Sequence, residues 1–368
     1  MLCPRLAIII LAASLLDCSA LLAQDSKDYI LATRRSGVIE FIDPATLQTT
    51  GRIHFDVPPK SVGLNGASAS VDGSMIYLYG PISGKPNGCC SLYSIDLATL
   101  QTKLAAGARG TRSPADLVIS DAVARPAPAL TAGQVKGMRL SRLHLAPDGR
   151  WVFGVVSFRG PTLGIYDRTQ ESVIRELTPS GLQGDWRPTG AWSGNRFYFY
   201  VGKGDGSAAR LWTVSPESTE LGEGVAVEQF GHIPGCSDPP LVELTSAAGN
   251  LFIYELFGWK LDRRSACNTQ IPGGAWVLDP ETGRLLRHMV PELHFAALIP
   301  NWTQPVLYGL ATEDYNWRGL VQLVQIDARD GRVLQARHLD SDIWEISTAK
   351  VRLAPSGDVR ALPVSGPK

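Results

Sequence analysis

Short, mostly apolar runs recur along the chain, and each run ends at an Asp or a Ser. The clearest copies are Val38–Thr49 and Leu92–Thr102, in which the run stops at Asp43 and at Asp96. A short apolar run that is bounded by a turn signal is typical of a buried strand. An Asp after a strand accepts hydrogen bonds from backbone N–H groups two residues later. The pattern therefore predicts a strand, a turn and a second strand, with weaker copies ending at Asp167, Ser215, Asp279 and Asp327.

A second pattern, a Gly-containing turn followed by an aromatic or β-branched strand, precedes most of these copies. Val71–Leu78 and Pro147–Phe153 carry Asp-Gly in the turn, whereas Ser193–Phe199 and Ala248–Tyr254 carry Gly-Asn. Such dipeptides between apolar runs are strong hairpin signals. Together with the Asp turn, they predict a repeating unit of four antiparallel strands.

Six Asp or Ser turns imply about six such units, and tandem four-stranded units that close radially form a β-propeller. The N-terminal part offers three strands, Tyr29–Arg34, Val38–Asp43 and Gln48–Phe55, and the C-terminal Ile346–Ala354 offers the missing first strand. We therefore expect an all-β fold: a single β-propeller of four-stranded antiparallel blades, closed by pairing of the N- and C-terminal strands. Six blades are favoured, and an extra strand at Val359–Leu362 leaves seven open.

The composition fits many short strands joined by turns. The chain has 368 residues, of which 37 are Gly and 25 are Pro, and these are spread throughout it. Length alone would allow two domains. No linker divides the repeats, so we expect one domain over residues 24–368 with an insertion loop at residues 107–137. Lys and Arg together number 35, as do Asp and Glu, and this balance argues against general nucleic-acid binding.

The N-terminus has the pattern of a secretory signal peptide over residues 1–23. Arg5 is followed by an apolar run from Leu6 to Leu16, which is too short to span a bilayer. Ala23 is the favoured last residue before cleavage, and Ala20 is a second option. No later stretch is apolar for long enough to span a membrane, so the mature chain is expected to be secreted or periplasmic.

The cysteines bear on the same question of compartment. Cys18 raises a lipoprotein alternative, which is disfavoured because a charged residue precedes it. Four cysteines remain after cleavage, an even number that suits disulfides in an exported chain. We favour a Cys236–Cys267 bridge, because both residues fall in loops expected on one face. Cys89 and Cys90 would form a strained vicinal bridge or a free pair.

The repeats resemble the YVTN-type propeller repeat, and Ala146–Phe153 and Val38–Thr49 match its consensus well. The resemblance covers most of Asp28–Asp358 at low identity per unit. In this respect the chain is similar to the quinoprotein amine dehydrogenase heavy-chain-like and lactonase-like propeller superfamily. Two departures are Ser215, which replaces the Asp, and the turn Asn301–Gln304, which lacks Gly. The repeat residues define a fold and not a chemistry, so the resemblance implies no catalytic residue.

A candidate binding face follows from this topology. Loops between the second and third strands of a blade share one face with the blade-to-blade connections, and the longer loops here fall on it. Loop length beyond what a scaffold needs indicates function. Cations and tryptophans in these loops would stack on a sugar, a ring or a peptide, or each Trp would pack between blades. The candidate ligand-binding residues are Arg159, Trp186, Arg187, Lys203, Trp259, Lys260, Trp317 and Arg318.

The sequence carries no catalytic constellation. Asp279–Arg284 resembles a D-x-x-T-G-K fragment of quinone-cofactor propellers, but Leu286 stands where those proteins have Trp, so we expect no cofactor. No C-x-x-C spacing occurs and the His residues are scattered, so we expect no metal site. His144 lies in an apolar strand, where core packing or pore lining is the expected role.

The functional hypothesis is a ligand-binding or protein-interaction module that acts through loops on one face. Its partner would be a small molecule, a glycan or a protein, with no nucleic acid and no membrane span in the mature chain. The alternative is an enzyme or enzyme subunit, either a lactonase-type hydrolase or the non-catalytic heavy subunit of an amine dehydrogenase. A third alternative is a structural protein of the cell surface.

Overall fold

The computed structural model describes residues 26–34, 36–54, 66–70, 73–80, 91–106, 140–146, 150–156, 161–167, 169–170, 172–182, 186–203, 208–228, 241–256, 273–301, 303–312, 321–339 and 342–362. These residues form β-strands and the turns between them, and contain no helix. None of the residues in these ranges therefore forms a helix that is long and apolar enough to cross a membrane. The predicted all-β class is confirmed.

The described strands form six small sheets, which we number in chain order. Sheet 1 begins with β1 (Lys27–Arg34), β2 (Val38–Ile42) and β3 (Thr49–His54). Sheet 2 contains β4 (Gly66–Ala69), β5 (Met75–Gly80), β6 (Ser91–Asp96) and β7 (Thr102–Ala106). Sheet 3 contains β8 (Leu140–Leu145), β9 (Trp151–Val156), β10 (Thr162–Asp167) and β11 (Ser172–Leu177).

The second half of the chain repeats the arrangement. Sheet 4 contains β12 (Trp186–Ser193), β13 (Arg196–Lys203), β14 (Ala209–Val214) and β15 (Val225–Ala226). Sheet 5 contains β16 (Leu241–Ala247), β17 (Asn250–Leu256), β18 (Ala275–Leu278) and β19 (Leu285–Met289). Sheet 6 contains β20 (His294–Pro300), β21 (Val306–Thr312), β22 (Val321–Asp327) and β23 (Val333–Leu339). In sheets 2 to 6, four consecutive strands pair in chain order.

Sheet 1 is completed by the C-terminal strands β24 (Ile343–Val351) and β25 (Gly357–Arg360). β24 runs antiparallel to β1, with Lys27 opposite Val351 and Arg34 opposite Ile343. β25 pairs in parallel with β3, where Gly51 lies opposite Gly357. A Cβ atom at Gly51 would overlap the carbonyl oxygen of Pro355, so this close approach needs glycine. The extra C-terminal strand is thus the fifth strand of sheet 1 and starts no further sheet in the described residues.

Strand alternation gives each sheet two apolar faces, and these faces pack against neighbouring sheets. In β2, Ile39 and Phe41 pack against sheet 2, whereas Ile42 packs against sheet 6. Similar buried clusters join sheets 3 and 4, sheets 4 and 5, and sheets 5 and 6. Sheets 1, 4, 5 and 6 therefore each lie between two neighbours, whereas sheets 2 and 3 each share one such cluster in the described residues. The core is a series of seams rather than one central cluster.

The predicted Asp turns are present and share one geometry. In the turn after β2, the Asp43 carboxylate accepts from the N–H groups of Ala45 at 2.9 Å and Thr46 at 3.2 Å. The Asp43 N–H donates to the carbonyl of Gln48 at 2.9 Å, and the Leu47 N–H donates back to the Asp43 carbonyl at 2.8 Å. The carboxylates of Asp96, Asp167, Asp279 and Asp327 accept from the second following N–H in the same way.

In the turns after Asp43, Asp96, Asp279 and Asp327, the fourth residue after the Asp adopts a left-handed backbone. Gly283 and Gly331 supply it at φ 71° and 82°, at no steric cost. Leu47 and Leu100 adopt the same conformation at φ 54° and 53°, in spite of the strain that a side chain adds there. Leu47 is buried against sheet 6, so its apolar contacts offset that strain.

The two departures from the repeat are compensated locally. Where Ser215 replaces Asp, its N–H donates to the hydroxyl of Ser218 at 3.0 Å, and the Ser218 N–H donates to the Ser215 carbonyl at 3.0 Å. Where the β20–β21 turn lacks Gly, the Asn301 side-chain oxygen accepts from the N–H groups of Thr303 at 2.9 Å and Gln304 at 3.0 Å. In these two turns, side-chain hydrogen bonds to backbone N–H groups thus stabilise the bend in place of the usual Asp or Gly.

Candidate functional site

The connections between strands differ in length on the two edges of the sheets. One edge, here called the short-turn edge, carries the connections from the first to the second strand and from the third to the fourth. The other, here called the loop edge, carries the connections from the second to the third strand and from sheet to sheet. Short-turn connections include 43–48, 194–195, 248–249 and 279–284; loop-edge connections include 55–65, 81–90, 107–139, 227–240, 257–274 and 313–320.

Exceptions exist on both edges, but they do not change the contrast. Residues 215–224 form a long connection on the short-turn edge, while residues 35–37, 290–293 and 340–342 are short connections at the loop edge. The short turns are fixed by hydrogen bonds within themselves, as the Asp turns show. A scaffold of this kind needs only short turns, so the extra chain length makes the loop edge the candidate site.

The structure brings three of the predicted ligand-binding residues together at the loop edge of sheet 4. Trp186 begins β12 and lies opposite Lys203, which ends β13. Arg187 is next along β12, opposite Gly202. The remaining candidates fall outside the described residues, and so do all four cysteines of the mature chain: Arg159, Trp259, Lys260, Trp317, Arg318, Cys89, Cys90, Cys236 and Cys267.

Trp186 has a packing role. It is half-buried against the cluster that joins sheets 3 and 4. The indole therefore packs in the seam between sheets 3 and 4, which agrees with the alternative that each Trp packs between blades. Its position at the start of β12 still places it at the loop edge. His144 also packs at this seam, with its ring centroid 5.3 Å from that of Phe197.

A buried acid, Glu255, lies at the loop edge of the seam between sheets 4 and 5. It is the penultimate residue of β17, on the same side of the strand as Ile253, which packs in that seam. Only 5% of Glu255 is exposed. Within the part of the chain that the structure describes, neither carboxyl oxygen has a hydrogen-bond partner. Burial raises the pKa of Glu255 to about 8, so the side chain is a neutral acid at pH 7.

Tyr200 faces the same seam from sheet 4. Its ring lies over Gly202, where an added Cβ would come within 3.0 Å of the phenol oxygen and a ring carbon. Because Gly202 lies toward the loop edge, this packing directs the phenol toward that edge. Burial raises the pKa of Tyr200, and the charge of nearby Glu255 raises it further. Tyr200 and Glu255 thus both face the seam between sheets 4 and 5.

A second buried acid, Glu243, lies on the neighbouring strand β16. Its carboxylate accepts a hydrogen bond from the Thr189 hydroxyl of β12 at 3.0 Å, which links the first strands of sheets 4 and 5. Glu243 and Thr189 are both buried. The pair shows how a carboxyl in this region is normally satisfied, and Glu255 lacks such a partner among the described residues.

Sequence reasoning found the edge but missed these acids. The available signal was a carboxylate inside an apolar strand, Leu251–Leu256, where a half-buried pattern would place apolar residues. The pattern does not show whether another strand supplies a partner, so the lack of one at Glu255 emerges only from packing. Among the described residues, no group of three or more His, Cys, Asp or Glu is arranged to hold a metal ion.

The chain matches no model of a known protein family and no curated protein. Among solved structures, the dihydro-heme d1 dehydrogenase NirN in complex with DHE is similar over 89% of this chain and 76% of its own, with 12% identity and a TM-score of 0.45. The hydrazine synthase of Kuenenia stuttgartiensis is similar over 79% of this chain and 71% of its own, with 13% identity and a TM-score of 0.38. Likenesses this distant say nothing about chemistry, so the function has to be argued from the geometry of the loop edge.

Proposed function

We propose that the chain is a six-bladed β-propeller that binds a ligand or a partner protein through its loop edge. The single observation that carries the binding role is the contrast in connection length between the two edges. Short, hydrogen-bonded turns gather on one edge, and connections such as 107–139 and 257–274 gather on the other. This arrangement is how a rigid scaffold presents variable binding segments.

The propeller itself is supported by the order of the seams. Buried clusters join sheets 1 and 2, 3 and 4, 4 and 5, 5 and 6, and 6 and 1. Contact between sheets 2 and 3 would complete a ring of six. Pairing of β24 with β1 then ties the two ends of the chain into one blade, which leaves no open end to the ring. The proposal includes YVTN-type repeats as the origin of the units.

Hydrogen bonds between the turns of one sheet and the last strand of the preceding sheet support the same order of sheets. The guanidinium of Arg175 on β11 donates to the carbonyls of Pro216 and Ser218, in the turn of sheet 4. The Glu228 N–H, just after β15, donates to the Gly283 carbonyl in the turn of sheet 5 at 2.7 Å. Each such turn rests on the outer strand of the preceding sheet. Radial repetition of one contact is what a propeller requires.

A ligand screen with two matched variants tests the binding role. Lys203 and Arg196 are cations at opposite ends of β13, one at the loop edge and one at the short-turn edge. We expect ligands that raise the Tm of the wild type to raise that of Arg196→Gln equally and that of Lys203→Gln less. The screen would use oligosaccharides, aromatic acids and short peptides. A ligand-induced rise in Tm that is reduced only by Arg196→Gln would overturn the proposal. Turnover of a ligand would favour the enzyme alternative.

Export is part of the proposal. A signal peptide over residues 1–23 would place the mature chain in the periplasm or outside the cell, where Cys236–Cys267 would be oxidised. Mass spectrometry of the secreted protein without reductant is expected to show a start at Gln24 in the intact mass and, after proteolysis, a disulfide-linked peptide pair that contains the two cysteines. An uncleaved chain, or both thiols free, would contradict export or the pairing respectively.

A further inference from the structure

We propose that Glu255 is the recognition group for a cationic ligand moiety, an ammonium or a guanidinium, bound at the loop edge of the seam between sheets 4 and 5. The inference rests on the proposed function, since it gives the loop edge a ligand chemistry. It starts from an unsatisfied carboxyl at a place where the scaffold ends and the long connection 257–274 begins.

An unsatisfied buried carboxyl is costly, and native proteins rarely keep one without a reason. Leaving a buried polar group without partners costs about 1–3 kcal/mol. An apolar residue would fill the volume of Glu255 without leaving a polar group unpaired. Glu255 faces the same seam as Tyr200, at the end of the strand that leads into the loop edge, and a binding role is the reason that fits this position best.

The surroundings of Glu255 define what it would accept. Tyr200 and Tyr198 face the seam from β13, and Glu243 lies on the adjacent strand β16 with its Thr189 partner. No ion pair with Glu255 occurs among the described residues, and Val242, opposite it on β16, is apolar. The described surroundings of Glu255 are thus aromatic and apolar. A cation would supply both the missing charge and the missing donors, and aromatic faces favour it further.

Binding of a cation would be coupled to release of a proton. The free protein holds Glu255 as the neutral acid near pH 7, whereas an adjacent cation favours the carboxylate. Ligand uptake therefore exchanges the acid proton for the cation, with no net charge added to the seam. Below the pKa of the free acid, apparent affinity would rise about tenfold for each unit of pH.

The chemistry is shared by free cations and by the side chains of a peptide, so the test has an arm for each. Methylguanidinium probes a small molecule, the tripeptide Gly-Arg-Gly probes a peptide, and N-methylurea is the uncharged control. The mature wild-type protein, labelled with ¹³C at Glu, is titrated from pH 5 to pH 10 with and without each probe. The readout is the carboxyl resonance that is missing from the Glu255→Gln spectrum.

We expect methylguanidinium or the peptide, but not N-methylurea, to lower the titration midpoint of Glu255 by more than one pH unit. The arm with the larger shift identifies the source of the cation. Glu255→Gln keeps the shape of the neutral acid, so it should fold and lose at least tenfold in affinity for the active probe. Glu176→Gln, which removes an exposed acid of β11, should bind like the wild type.

Two results would overturn the inference. One is a Glu255 midpoint that no cationic probe moves, and the other is binding that Glu255→Gln leaves intact. Neither would refute the loop edge as a binding surface, because ligands found in the thermal screen and sensitive to Lys203→Gln would still support that role. If the thermal screen finds no ligand but a cationic probe shifts the Glu255 midpoint, binding would instead be confined to this seam.

Discussion

The guanidinium of Arg337 donates to the carbonyl oxygen of Leu47 at 2.7 Å and to the hydroxyl of Thr49 at 2.9 Å. Arg337 lies on β23 of sheet 6, whereas Leu47 and Thr49 lie at the turn between β2 and β3 of sheet 1. The contact therefore joins two sheets whose strands are about 290 residues apart in the chain. One side chain secures the left-handed Leu47 turn in place.

Replacing Arg337 by Ala should weaken the seam between sheets 6 and 1. Both acceptors would lose a charged donor in a half-buried site, which costs about 2 kcal/mol. Urea unfolding followed by tryptophan fluorescence would measure the loss. Arg360→Ala, which removes an exposed arginine of β25, is the control and should change stability by less than about 0.5 kcal/mol. Equal effects of the two substitutions would show that the Arg337 contact contributes nothing.

The turns were predictable from sequence because their causes are local. Asp43 and Asp279 carry their acceptors and their turn residues within six positions, and the structure has the bonds that the spacing implies. The contact of Arg337 with Leu47 was not predictable, because it depends on which sheet follows which in space. Glu255 was missed for the same reason: its missing partner is a property of the packed seam.

Gly283→Ala should destabilise the protein more than Gly194→Ala does. Both glycines have positive φ, at 71° and 57°, so each substitution carries about 1–2 kcal/mol of backbone strain. At Gly194 nothing lies near an added Cβ, whereas at Gly283 it would overlap the carbonyl oxygen of Ala226 on the neighbouring sheet. Overpacking should add about 1–3 kcal/mol. Thermal unfolding of both variants measures the difference, and equal losses would mean that the docked turn can move away.

Glu40→Gln should destabilise the protein at neutral pH and lose this effect in acid. Glu40 is fully buried and is held by Arg34, by Arg52 at 3.3 Å and by the Thr49 hydroxyl at 2.8 Å. Burial acts to raise the pKa of Glu40, but the bonds from Thr49 and Arg34 outweigh it, so the pKa lies below 4.5. Loss of the charge removes the buried carboxylate from Arg34, whose second acid, Asp342 at 2.9 Å, is partly exposed, at a cost of about 3 kcal/mol.

The acid dependence gives the Glu40 prediction its sharper test. A depressed folded-state pKa contributes stability above pH 4.5 that is lost as the pH falls through the folded value. Urea midpoints of the wild type and Glu40→Gln should therefore differ at pH 7 and converge toward pH 2. Glu281→Gln, which changes an exposed turn residue, should track the wild type throughout. A gap that stays constant with pH would contradict the assigned role of the charge.

In contrast to Glu40→Gln, Glu255→Gln should stabilise the protein relative to the wild type, and by more as the pH rises. Folded Glu255 keeps its proton up to about pH 8, whereas in the unfolded chain it ionises near 4.5, so wild-type stability falls between these values. Gln cannot ionise and retains the shape of the neutral acid, so the variant lacks this decline. The gain at pH 7 should be on the order of 3 kcal/mol. Urea unfolding at pH 5, 7 and 9 measures it, with Glu176→Gln as the control for a lost exposed acid. Parallel pH profiles of wild type and Glu255→Gln would mean that the carboxyl is satisfied in solution, and the cation-binding site would then lose its basis.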